Sequence, residues 1–250
     1  MRCTSLAVLL IIATGSIGAL AAGGPSPSQY TRLLADKERP ADDVAADANR
    51  KPAETLAFAG VKRGMVVGEF FPGGGYFTRL LSKAVGPGGH IYGIENAGWK
   101  GAVEADQKLT SSGKFGNVSI DALTFGAVRF PEPLDLAWVT QNYHDLKIAK
   151  FGVVDTDKFN RAVFAALKPG GTYFILDHEA PPGTDAAGIE KLHRIEKAQV
   201  IREVTAAGFQ LVEEGKFLNR PSDDHSLPIF DKAVQGQTDQ YALKFIKPKK

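Results

Sequence analysis

Short apolar runs alternate with amphipathic stretches along most of this chain. Met65 to Phe70, His90 to Ile94, Val118 to Ile120, Leu134 to Thr140 and Thr172 to Leu176 are rich in branched and aromatic residues. Glycine, proline or polar residues bound them, as expected of strands covered on both faces. Between them Tyr76 to Val85 sets Phe77, Leu80, Leu81 and Ala84 at i, i+3, i+4, i+7, one face of a helix, and Gly86-Pro87-Gly88-Gly89 stops it. Helices are likewise predicted at about Ala102 to Ser111, Thr156 to Leu167 behind an Asp155 or Thr156 cap, and Ala198 to Ala207 with Gly208 as its stop. Gln210 to Glu214 and Tyr241 to Ile246 read as strands six and seven. Because parallel neighbours need a crossover, the alternation predicts an α/β fold: a seven-stranded, mainly parallel sheet with helices on both faces. Upstream, Gly23 to Ser28 is a spacer and Gln29 to Ala35 a short helix. Arg39 to Asn49 is polar, acidic and without a period, and Pro52 opens a helix through Phe58.

The first strand breaks into Phe71-Pro72-Gly73-Gly74-Gly75, a glycine turn that opens the next helix. Glycine there permits positive φ and lets a ligand lie directly on the backbone. The second strand ends in Glu95, an acid placed to hold a ribose diol, and Asp121 directly follows the third. The turn and Glu95 together read as an adenosine pocket at the carboxyl edge of the sheet, and Asp121 by its position alone reads equally as a turn-initiating aspartate.

The order acid-x-x-Pro-Gly-x-Gly-x-x-Thr from Glu69 to Thr78, the acid Glu95, and Leu167-Lys168-Pro169-Gly170-Gly171 before a later strand resemble the class I S-adenosylmethionine-dependent methyltransferases. The resemblance runs from about Pro52 to Pro248. Arg50-Lys51-Pro52-Ala53-Glu54-Thr55-Leu56-Ala57-Phe58, Asn142-Tyr143-His144-Asp145 and Leu192-His193-Arg194-Ile195 are similar to a branch of bacterial methyltransferases that carry export signals. The resemblance implies a Rossmann-like sheet and S-adenosylmethionine as cofactor. It places Glu69, Pro72 and Gly73 to Gly75 against the methionine and ribose, Glu95 on the ribose hydroxyls and Asp121 on the adenine amino group. It also makes the segment 22–51 a spacer and lid before a methyltransferase-like domain, 52–250. Phe71 stands where most members carry glycine, and its benzyl group narrows the cleft floor.

His144, His178, His193 and His225 all fall after strands or in loops on the ligand edge, while His90 starts a strand at the other end. In the class I order the fourth strand neighbours the first, so Asn142-Tyr143-His144-Asp145 is the candidate catalytic cluster. His144 is read as general base with Asp145 orienting it and Tyr143 beside them. Asp177, His178 and Glu179 invite a metal together with His144 and Asp145, but no tight ligand spacing supports one and none is expected. The long run from Asn219 to Asp239 is read as a wall of the substrate site.

Composition narrows the rest. Arg2, an apolar core from Leu6 to Ile12 and Ala19-Leu20-Ala21 have the order of a secretory signal over 1–21, so a periplasmic or secreted protein is expected, with no stable membrane insertion after cleavage. The one cysteine, Cys3, lies inside that signal. With 30 Lys and Arg against 28 Asp and Glu, interspersed, no basic face for nucleic acid is indicated. The reading is methyl transfer to a small-molecule or lipid-like acceptor. A methyltransferase-like binding protein without turnover, and a hydrolase or lyase using His144 and Asp145, are the alternatives.

Overall fold

The computed structural model describes residues 24–124 and 126–249. The signal-like segment 1–21 lies outside them. Seven strands form one sheet in the order β3-β2-β1-β4-β5-β7-β6: β1 (Val66–Phe70), β2 (His90–Asn96), β3 (Val118–Leu123), β4 (Leu134–Thr140), β5 (Leu167–His178), β6 (Gln210–Gly215) and β7 (Gln240–Ile246). β3, β2, β1, β4 and β5 run parallel, and β7 joins antiparallel to both β5 and β6. Helices α1 (Thr31–Leu34), α2 (Ala41–Arg50), α3 (Pro52–Ala59), α4 (Tyr76–Val85), α5 (Lys100–Ser111), α6 (Thr156–Ala166), α7 (Ala186–Leu192) and α8 (Lys197–Ala206) fill the connections and cover the sheet. Side chains alternate across each strand, so the two faces feed separate cores. Val67, Leu136, Trp138 and Phe174 pack on one side; Phe70, Ala137, Val139 and Ile175 pack on the other.

Several boundaries differ from expectation, each for a tertiary reason. β2 runs on to Asn96 and β3 to Leu123 because the two pair through Glu95↔Ala122 and Asn96↔Leu123. Asp121 is therefore inside an edge strand, exposed, and not at its tip. β5 begins at Leu167, where the proline-glycine turn was expected, since Leu134↔Leu167 pairing captures it past a bulge. Its far end reaches His178, paired to Gln240 of β7. The segment read as aperiodic is α2: Asp43, Ala46, Asp47 and Arg50 share one face, and the sequence hides it because that face is polar. α7 was not anticipated; Asp185 caps it by accepting from Gly188 N–H at 2.8 Å.

Candidate active site

In this topology the order reverses between β1 and β4, where the crossovers leave in opposite directions and a crevice opens beyond the strand ends. A cleft of about 270 Å³ lies there, floored by Glu69, Phe71 and Gly73 and bounded by Thr140 to Asn142 after β4. The turn after β1 explains its shape. Gly73 and Gly75 take φ of 58° and 77°, a left-handed backbone that glycine adopts without a Cβ penalty, and a Cβ on Gly75 would also press on the Leu109 side chain of α5. Phe71 has φ of 57° with no glycine to ease it. The Phe71 N–H donates to Ile94 O at 2.8 Å, and its ring packs against Trp99, whose centroid is 5.7 Å away. Trp99 in turn meets Phe151 at 5.0 Å.

Glu95 is fully buried and accepts from the Gly73 N–H at 2.9 Å and from the Asn96 N–H at 2.7 Å. The acid one residue before the end of β2 and the glycine turn after β1, twenty-two residues apart, thus meet. Glu69 lies below the same turn, 2 % exposed, and its Oε2 has no hydrogen-bond partner among the described residues. Burial pushes its carboxyl up to about 8. Asp106 of α5 completes the acidic group: burial first, then the charges of Glu95 and Glu69, lifts it to about 8 as well. Burial also raises Glu95, against the two backbone N–H groups that favour its charge.

α2 closes over this cleft. Asp43 accepts from Arg79 Nε and Nη2 at 2.7 and 2.8 Å, Tyr76 donates to Asp47 at 2.7 Å, and Arg39 forks onto Asp47 at 2.6 Å. Arg50 stacks over the Tyr76 ring at 4.6 Å. Arg79 and Tyr76 of α4 thus hold α2 by its acids, and Arg50 packs on Tyr76, so polar and charged contacts and not an apolar seam fix this helix.

The cluster after β4 is placed differently. Tyr143 is wholly buried, donating to Glu203 at 2.9 Å and accepting from Asn160 at 2.7 Å; it props the wall from behind. His144 is 1 % exposed and does not line the cleft. Its Nδ1 meets Asp177 Oδ1 at 2.8 Å and its Nε2 faces Asp145 Oδ1 at 3.3 Å. Burial works against a charged imidazole here, but Asp177 and Asp145 outweigh it and raise the pKa. His178, bonded to Thr238 at 2.7 Å, is held neutral by burial. His193 comes in from α7, and its ring lies 5.4 Å from that of His144. Asn142 links the cluster to the cleft, lining the latter and donating to Asp145 Oδ2 at 2.8 Å. The 219–239 run does not line the cleft. It is tied down by the buried Arg194–Asp223 pair at 2.8 Å and touches the lid through Arg220 and Asn49 O at 3.0 Å.

Of the residues expected to bind cofactor, Glu69, Pro72, Gly73 and Gly74 line the cleft, Glu95 is bonded to its turn, Gly75 caps α4, and Asp121 stands apart. The residues sequence reasoning missed are Asp43, Arg50, Arg79 and Asp106. For α2 the available signal was charge repeating at i, i+4, i+7; for Asp106 it was an acid three residues before Leu109, on the buried face of α5.

No protein-family model matches the chain. The chain is 32% identical over 130 residues to a ubiquinone/menaquinone biosynthesis C-methyltransferase, UbiE, of Pasteurella multocida, a match covering 51% of this chain and 45% of that protein. The chain thus spans about half the length of the curated relatives it matches. Among solved structures, a SAM-dependent methyltransferase of Aquifex aeolicus aligns with a TM-score of 0.58 at 16% identity, covering 89% of this chain and 98% of that one. The [4+2]-cyclase SpnF aligns with a TM-score of 0.56, also at 16% identity, over 89% and 93% of the two chains. The same architecture therefore houses enzymes named for different chemistry, and the site must decide.

Proposed function

We propose that this chain, which has the class I methyltransferase fold, transfers a methyl group from S-adenosylmethionine to a small-molecule or lipid-like acceptor. The observation that carries the reading is the Glu95 carboxylate bonded at 2.9 Å to Gly73 N–H beside the cleft at the switch point. The residues fit the cofactor. Three buried acids, Glu69, Glu95 and Asp106, crowd the turn, and the nearby cation, Arg79, is already forked onto Asp43; S-adenosylmethionine brings a sulfonium and an ammonium. Glu95 would accept from the ribose hydroxyls, and the unpaired Glu69 oxygen from the ammonium. Phe71 and Trp99 offer apolar faces to the base.

When bound, the sulfonium supplies an already activated methyl, so the protein's task is alignment and exclusion of water. Gly73 and Gly74 hold the ligand on bare backbone. α2, clamped through Asp43 and Arg79, supplies one wall of the cleft. The acceptor would enter beside Thr140, Gln141 and Asn142, with Asn142 fixed by Asp145 and the wall propped by Tyr143. The expected general-base role of His144 becomes a positioning role here, because the imidazole is sealed behind Asn142. The relatives named for ubiquinone and menaquinone biosynthesis make lipid-like aromatic acceptors the first class to screen. Neither alternative, binding without turnover nor hydrolysis or elimination, draws support from those relatives.

Thermal denaturation with S-adenosylmethionine, S-adenosylhomocysteine and adenosine tests the reading. A ligand at a hundredfold its dissociation constant adds about 2.7 kcal/mol, and both adenosylated ligands should raise the midpoint clearly above adenosine. No shift with either would overturn it. Export rests on the sequence of 1–21; mass spectrometry of natively produced protein should find a chain starting near Ala22, and intact Met1 in the cytoplasm would remove that part of the proposal.

A further inference from the structure

We infer that His144, Asp145 and His193 form a binding site for one divalent transition-metal cation of the Zn²⁺ class, buried behind the acceptor wall. Asp145 Oδ1 lies 3.3 Å from His144 Nε2 and 3.4 Å from His193 Nδ1, and the three atoms all fall within 4.8 Å of one another. A tetrahedral ion with bonds of about 2.0–2.1 Å to nitrogen and oxygen spaces its ligand atoms by about 3.3–3.4 Å, so two of the three edges already have ligand spacing. The Asp145 oxygen at their centre is buried and has no hydrogen-bond partner among the described residues.

The surrounding groups aim all three ligands. Asn142 Nδ2 donates to Asp145 Oδ2 at 2.8 Å, turning the other oxygen toward the imidazoles. Asp177 accepts from the His144 backbone N–H at 2.8 Å and meets His144 Nδ1 at 2.8 Å, which keeps a proton on Nδ1 and directs the Nε2 lone pair at Asp145 Oδ1. A lone pair and a carboxylate oxygen facing each other at 3.3 Å repel, so a proton or a metal ion must lie between them, and the second imidazole makes this a place for a metal ion. His193 ends α7 with φ of 52°, a left-handed turn that swings its ring to the pair. Lys150 Nζ stands 3.2 Å from His193 Nε2 on an exposed side chain and can turn away when that nitrogen carries the proton. Two imidazoles and one carboxylate suit Zn²⁺, Co²⁺ or Fe²⁺ above Mg²⁺ or Ca²⁺, and leave a fourth position open. The inference does not depend on methyl transfer. It replaces the expectation of no metal, which weighed His144 and Asp145 with Asp177, His178 and Glu179 and lacked His193.

The test uses untagged full-length protein stripped with chelator, titrated with ZnCl₂ by calorimetry and with Co²⁺ by visible absorption. One equivalent of Zn²⁺ should bind, Co²⁺ should give the intense bands of a low-symmetry site, and Zn²⁺ should raise the melting midpoint. His193→Gln and Asp145→Asn should each weaken Zn²⁺ at least a hundredfold, and Asn142→Ala, which loses only an orienting bond, about 10- to 100-fold. His90→Gln, at the opposite end of the sheet, should bind as wild type does. Absence of stoichiometric Zn²⁺ binding and of any Zn²⁺-induced shift in the wild type, a test that needs no variant to fold, would overturn the site and leave a proton shared between His144 and Asp145. Wild-type affinity in His193→Gln would overturn it as well.

Discussion

Replacing Glu69 with Gln should make the protein less sensitive to rising pH. The carboxyl is 2 % exposed beneath the glycine turn, and burial raises its pKa from 4.5 to about 8. In the unfolded chain it ionises near its ordinary value. Between those two values the folded state holds a proton that the unfolded state has released, so stability falls as pH rises. One such group gives a slope of about −1.36 kcal/mol per pH unit, hence a ceiling near 2.7 kcal/mol between pH 5.5 and 7.5. Water penetration and relaxation reduce this to about 1–2.5 kcal/mol. Asp106 titrates in the same window, so wild type should lose more than Glu69 alone accounts for. In Glu69→Gln the Glu69 share disappears, and Asp106 eases downward because one of its repelling charges is gone. Urea denaturation at pH 5.5 and 7.5 reads this as a difference of differences, which cancels any fixed cost of the buried amide. Equal pH slopes in the two proteins would refute the account. A saturating cationic ligand should shrink the wild-type slope, because it favours ionised Glu69 in the folded state.

Glu95→Ala should weaken S-adenosylhomocysteine by about 1.5–3 kcal/mol in calorimetry, the range for hydrogen bonds to a charged group; identical affinity would remove Glu95 from the pocket. Asp43→Ala frees Arg79 and should unlatch α2, raising cofactor dissociation roughly tenfold or more in stopped flow and exposing the 39–51 segment to protease. Phe71→Gly relieves about 1–2 kcal/mol of left-handed backbone strain but empties a buried ring site worth about 3–5 kcal/mol, so the denaturation midpoint should fall; a rise would mean strain dominates. His144→Ala should cost about 3 kcal/mol, the lower end for breaking a buried pair, because Asp177 keeps the His144 and His178 backbone N–H bonds. A 10²- to 10⁴-fold loss of kcat at unchanged melting temperature would instead return His144 to the reaction as general base.

The parallel strands, α4, and the pairing of a glycine turn with Glu95 could be read from the chain because each depends on local periodicity or on the φ range of a few residues. The order of elements then fixes the topology class, and the topology fixes which edge holds the site. Other features depend on neighbours distant in sequence. β3 extends past Asp121 because β2 offers a partner, which removes Asp121 from the tip where its spacing placed it. α2 is stabilised by Arg79 and Tyr76, so its polar residues are its packing face and no apolar stripe announces it. His144 appeared accessible because it follows a strand at the ligand edge. Asp177, thirty-three residues on, and His193 from α7 enclose it, and only the fold brings them there. Sequence alone determined the architecture and one half of the cleft, since backbone preferences and hydrophobic periods act over a few residues. Burial, partner identity and proton affinity at Glu69, Asp106 and His144 were decided by tertiary structure, because desolvation and charge coupling depend on distance through space.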